Sequence, residues 1–161
     1  LFLFRILSTV DNPSRASDAQ IERFVESCRR LGLKATHQRI EIFREIIQSD
    51  EHPDAENLFQ RVRMRIPSLS RNTVYSTLQL LLDQGLIATL GIPSDRRRFE
   101  GNLEPHHHLV CTSCGKVQDF SDTKCVNLKS LPQFRSWGAV ESVHLELRGS
   151  CSECLRKLEE Q

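Results

Sequence analysis

The chain has 161 residues, 39% hydrophobic and 27% charged, with 22 Lys and Arg against 21 Asp and Glu. That length allows one medium core or two small ones, and this balance excludes a disordered polymer. A net charge of +1 gives no overall attraction to nucleic acid, so any such role must come from how the charge is distributed.

The distribution is uneven. Residues 57–98 hold seven arginines (61, 63, 65, 71, 96, 97 and 98) against Asp83 and Asp95, whereas residues 100–161 hold seven basic and nine acidic side chains. A basic block before an acidic one fits a nucleic-acid-facing half joined to a half with another task. The opening LFLFRILSTV is too short to span a bilayer, and it lacks the basic leader and cleavage site of a secretory signal. Residues 1–17 are therefore read as an extension outside the fold. No membrane partner is expected, and the expected location is cytoplasmic. Thiols stay reduced there, so Cys-x-x-Cys pairs read as metal ligands before disulfides.

In chain order, residues 18–31 place Ile21, Phe24, Val25, Cys28 and Leu31 on one helical face, and Gly32 follows as a stop. Cys28 then reads as core. Thr36 caps a second helix with Ile40, Phe43, Ile46 and Ile47 as its stripe. A third starts near Pro53, suited to a first-turn position, and buries Leu58, Val62 and Ile66. Ser70 opens a fourth, which buries Val74, Leu78 and Leu81 and ends at Gly85. LIATL and RRFEG then read as short strands joined by GIPSDR. Helices followed by a two-stranded hairpin give the order of a winged helix-turn-helix, with the fourth helix as reader and the Arg-rich hairpin as wing. Beyond residue 103 the expectation is strand, turn, strand, helix, strand, short helix. Residues 139–149 alternate apolar and polar as one half-buried strand that puts His144 on its polar face, and Cys125 reads as packing inside the helix.

Two Cys-x-x-Cys pairs, Cys111 with Cys114 and Cys151 with Cys154, suit tetrahedral Zn(II), because each pair chelates within one turn and two turns complete the shell. A redox dithiol is the alternative. The run PHHHLVCTSCGKVQDF raises a second question. In an extended strand His106 and His108 share a face and His107 takes the other. If the hairpin closes around Cys111 to Lys116, Asp119 falls opposite His108. Two imidazoles and a carboxylate then converge beside the zinc knuckle, a second site suited to Fe(II), Mn(II) or Zn(II). A surface histidine run, or a strand packing its histidines against a neighbouring domain, is the plainer alternative.

The segments HPDAENLF, PSLSRNTVYSTLQLLLDQGLI, RRFEGN, HHHLVCTSCGKVQDF and CSEC, in this order over about residues 18–157, resemble the ferric uptake regulator family of metal-dependent repressors. The resemblance implies an α+β chain: a winged-helix DNA-binding domain (18–92), a wing end and hinge (93–102), and a small α/β dimerisation and zinc domain (103–161). It implies a homodimer on a palindromic DNA operator. It also implies a regulatory Fe(II) or Mn(II) site that adds His52 and Glu100 to His106, His108 and Asp119. For the reading head it implies base contact by Tyr75, helix-start contacts by Ser70, Arg71, Asn72 and Thr73, and backbone or minor-groove contacts by Arg96, Arg97 and Arg98. Core packing at helical spacing is the other reading of Tyr75.

Within the family, Asp119 resembles the peroxide-sensing branch and Glu100 the iron-uptake branch. In the peroxide reading, Fe(II) reacts with hydrogen peroxide and His52 or His106 is oxidised. An auxiliary site common in the family looks defective, since Pro105 and His107 occupy its hairpin positions and His144 is out of register. No turnover is implied, so an enzyme is not expected. Two rivals lie outside the family: a zinc-stapled interaction module that binds no DNA, and an iron-dependent hydrolase or oxygenase, for which the sequence offers no pocket-lining segment beyond the hinge.

Overall fold

A computed structural model describes residues 18–49, 51–90, 96–121, 132, 137–141 and 143–159. The extension at 1–17, the wing tip and the helix expected over 121–131, with Cys125, lie outside or almost wholly outside the described residues.

Four helices form the first half: α1 (Asp18–Arg30), α2 (His37–Gln48), α3 (Ala55–Arg63) and α4 (Arg71–Asp83). Three start on side-chain caps, with Thr36, Asp54 and Ser70 each accepting from the backbone N–H three residues on; such a cap contributes about 1 kcal/mol. α1 and α4 end alike. Gly32 and Gly85 adopt φ of 70° and 62°, while the next N–H turns back to the carbonyl of Cys28 or Leu81. This is a turn in which glycine avoids the Cβ clash. The helices enclose one core in which the Phe24 and Phe43 rings stack 4.0 Å apart, with Cys28, Leu58, Val62 and Leu81 buried beneath.

The wing hairpin pairs β1 (Ala88–Thr89) with β2 (Phe99–Glu100), in register Ala88 to Glu100. Its strands are shorter than LIATL and RRFEG suggested. A third strand-like edge completes it: the Phe99 N–H donates to the Pro53 carbonyl at 3.1 Å and Asp54 bridges Arg98. Phe99 enters the core, so by strand alternation Glu100 faces the other way, towards the second half.

The second half is a three-stranded sheet in the order β4 (Val117–Phe120), β3 (His107–Cys111), β5 (Glu146–Gly149), followed by α5 (Ser152–Glu159). β3 and β4 are antiparallel with His108 opposite Asp119, the register expected from the hairpin. β5 runs parallel to β3. Its own core is small, with Val110 and Val117 buried beside Leu90.

Several local expectations need correction. Pro53 precedes the cap of α3 instead of occupying its first turn, because Asp54 takes the capping role. α3 stops at Arg63, and Ile42 is buried although the expected stripe of α2 omitted it. Leu31 lies beyond α1 and is 44% exposed. The strand expected over 139–149 shrinks to Glu146–Gly149, since β5 pairs only along the length of β3.

Candidate metal centres and basic face

The hairpin between β3 and β4 brings Cys111 and Cys114 together, and the start of α5 brings Cys151 and Cys154 against them. The sulfurs of Cys111 and Cys154 lie 3.8 Å apart, as do those of Cys114 and Cys151. Thiolates about 2.3 Å from a tetrahedral zinc have sulfur–sulfur edges of about 3.8 Å, so the four residues fit the ion. The electrostatics agree. The backbone N–H of Cys151, with those of Cys114 and Ser113, holds the Cys111 thiol down to about 6. Hydrogen bonding with Cys151 and Cys114, and the charge of Cys111, push Cys154 up to about 12. Were all four ionised at this spacing, a bound cation would offset their mutual repulsion.

The second cluster draws on segments far apart in the chain. His52 comes from the turn before α3, Glu100 from β2, and His106 and His108 from the start of β3. One donor atom from each falls within 4.8 Å of the others, and all four residues are buried. Glu100 Oε2 is 3.0 Å from His106 Nε2, 3.1 Å from His108 Nε2 and 3.7 Å from His52 Nε2. Asp119 completes the rim, with Oδ1 3.0 Å from His52 Nε2 and 3.5 Å from His108 Nε2. Donors about 2.1 Å from one ion are separated by about 3.0–3.4 Å at tetrahedral or octahedral vertices, so this spacing fits a bound cation.

Two further observations support that fit. Asp119 Oδ1 is buried and lies 3.0 Å from His52 Nε2, so two atoms of the kind that bind metal meet at the rim of the cluster. The His106 Nδ1–H donates to the Glu104 carbonyl at 2.7 Å, which leaves Nε2 directed into the cluster. With no ion bound, the cluster holds charge by protonation. The hydrogen bond to Glu100 outweighs burial and raises His106 to about 9. Burial works to raise Glu100, but the hydrogen bonds from His106 and His108 prevail and lower it to about 2. Asp119 is likewise lowered, burial being outweighed by His52.

His52 has φ of 51°, in the left-handed region that a non-glycine residue enters at a cost of about 1–3 kcal/mol. The wing bonds to Pro53 and Asp54 hold it there. His107 stands apart: its ring lies 5.3 Å from that of Phe120, and its Nδ1 accepts from the Leu145 N–H at 3.3 Å. His144 is exposed, and among the described residues only these two clusters bring metal-type donors together.

The sequence profile of the Ferric uptake regulator family matches residues 30–148. The chain belongs to the ferric uptake regulator family. At that level of description it is a metal-dependent transcription regulator. It is 31% identical over 137 residues to the peroxide-responsive repressor PerR of Staphylococcus epidermidis, covering 85% of this chain and 91% of that one. Its fold is similar to that of the Helicobacter pylori ferric uptake regulator Fur, a protein described as having three functional metal binding sites. That likeness has a TM-score of 0.71 and 27% identity over 88% of this chain and 96% of the other. The Campylobacter jejuni peroxide stress regulator aligns with a TM-score of 0.65 and 28% identity, over 81% of this chain and 98% of that one.

In this ferric uptake regulator relative a groove of about 590 Å³ between α3, α4 and the wing is lined by Asp54, Glu56, Tyr75, Arg96, Arg97 and Phe99 among others. Tyr75 is 53% exposed, so it does not serve the core. The hydroxyl of Ser70 caps Thr73 and also bonds its side-chain oxygen, and Asn72 is exposed. The arginines are less free than the sequence implied. Arg71 makes two bonds to Glu56, Arg96 pairs with Asp54 at 3.3 Å, and Arg98 donates to the Glu51 carbonyl at 3.0 Å. Sequence reasoning did not reach these partners, because pairs between residues far apart in the chain leave no local pattern.

Proposed function

We propose that the chain is a DNA-binding repressor that senses peroxide through Fe(II), with a structural Zn(II) on Cys111, Cys114, Cys151 and Cys154. The observation that carries this reading is the origin of the second cluster: His52 and Glu100 come from the winged-helix half, and His106, His108 and Asp119 from the other. An ion bound by all five favours one angle between the halves. In a homodimer on a palindromic operator that angle sets the separation of the two α4 helices, which must enter successive major grooves. Moving such an equilibrium from 1:99 to 99:1 takes about 5.5 kcal/mol of differential affinity, within reach of a site complete only in the closed form.

Ferrous iron at this centre would supply the electrons that reduce hydrogen peroxide beside two buried imidazoles. His52 and His106 hold their rings at the centre, and His52 or His106 would be oxidised: one peroxide oxygen would be added to a ring carbon, the other would leave as water, and the oxidised ring would no longer serve as a ligand. Asp119 at the rim of the cluster and the PerR relatives favour this branch. Glu100 and the likeness to the Helicobacter pylori Fur favour an iron-responsive uptake regulator as the second reading.

Fe(II)-loaded and Mn(II)-loaded protein, each exposed to low peroxide, separates the two. Mass spectrometry of the His52 and His106 peptides should find one added oxygen, with loss of operator binding, only for the iron form. Unmodified peptides with retained binding would sink peroxide sensing and leave the iron-responsive reading.

A further inference from the structure

The pairing of Arg71 has a consequence for how strongly the reading head attracts DNA of any sequence. Arg71 is the first residue of α4, where unpaired N–H groups and a guanidinium together favour a phosphate. Yet its Nε and Nη2 lie 3.1 and 2.9 Å from the two carboxylate oxygens of Glu56, and its guanidinium stacks 4.4 Å above the Phe59 ring. Phe59 is buried and therefore fixed in place. Glu56 is steadied in turn by Gln60, whose amide donates to it at 2.7 Å. The ion pair is bidentate and backed by an aromatic face, so it restricts the arginine more than a single exposed contact would. Glu56 also lines the same groove as Tyr75, Arg96 and Arg97, so a DNA backbone entering there meets its negative charge.

We infer that Glu56 restrains sequence-independent DNA affinity: it occupies the phosphate-binding edge of Arg71 and places a carboxylate on the DNA face. Discrimination then depends more on the remaining contacts, of which Tyr75 is the base-facing candidate, because a general attraction that would hold the protein on any duplex is held down. The inference rests on the proposed DNA-binding function.

The test is a salt titration of the full-length Mn(II)-loaded protein on a random-sequence duplex, comparing wild type, Glu56→Gln and Glu56→Gln/Arg71→Gln. Glutamine keeps the size and the Gln60 contact while removing the charge. Glu56→Gln should bind more tightly at low salt, and the slope of log K against log salt should steepen by about 0.9, one added phosphate contact. Between about 50 and about 200 mM salt its advantage should shrink roughly threefold. The double variant should lose both the gain and the added slope. If Glu56→Gln binds with unchanged or shallower slope, or the double variant keeps the gain, the inference is overturned while the DNA-binding reading stands. If wild type and variants bind no duplex at any salt, both are overturned.

Discussion

His106 shows how one side chain serves two states. Without metal it is an imidazolium paired with the Glu100 carboxylate. Raised to about 9, His106 contributes stability in full below its unfolded value near 6.5, and that contribution is lost as pH rises through about 9. Glu100, lowered to about 2, contributes above about 4.5 and loses its contribution as pH falls through about 2. The pair therefore acts fully from about pH 4.5 to about 6.5. A metal ion can take Nε2 only after that proton has left. Mn(II) binding at neutral pH should thus release a proton from His106, and affinity should climb as pH rises towards about 9. Calorimetry in two buffers of different ionisation enthalpy checks this: for one released proton the apparent binding enthalpies should differ by about the difference between the two buffer ionisation enthalpies, and equal values would refute it.

At the level of elements, the decisive contact is where β2 leaves the wing. Gly101 follows Glu100 and lies against α2 so closely that a Cβ there would stand 2.3 Å from Ile47 Cγ2. Gly101→Ala should push β2 off α2, displace Glu100 and weaken Mn(II) binding by about tenfold, within the range for disturbed metal-site supports. Ile47→Ala in the same chain should restore most of the affinity by vacating the space; failure of that rescue would remove the steric explanation. The sequence showed the helices clearly, because their caps, apolar stripes and terminal glycines all agree, and it showed the β3–β4 register because two ligand motifs flank one tight turn. It did not show that Gly101, the glycine of RRFEGN, lies against α2. The stitching of Pro53 and Asp54 to the wing was equally hidden, since strand pairs far apart in sequence leave no periodicity. The length of β5 was missed because alternation marks a half-buried face even where no neighbouring strand pairs with it.

For the molecule as a whole, the described residues of the second half form little apolar core, and cross-links add to its cohesion. The four cysteines tie α5 and the end of β5 to the β3–β4 turn, so a metal held by them would add cohesion that so small a unit needs. Leu109 and Leu147, paired across β3 and β5, are 39% and 52% exposed, and Leu155 and Leu158 of α5 are exposed as well. That apolar surface suits the proposed second copy of the chain. Cys111→Ser should lose zinc and dimer together, measured by metal analysis and sedimentation, whereas His108→Ala should keep both and lose metal-dependent DNA binding. Loss of zinc in His108→Ala would show that the two centres are not separate. One strand, β3, serves both. His108 and Cys111 are three residues apart, an odd number, so alternation sends one towards the interdomain cluster and the other towards the knuckle. The segment can therefore exchange many side chains, but it cannot change length: a single inserted or deleted residue would turn both sets of ligands to the same side and abolish one of the two centres.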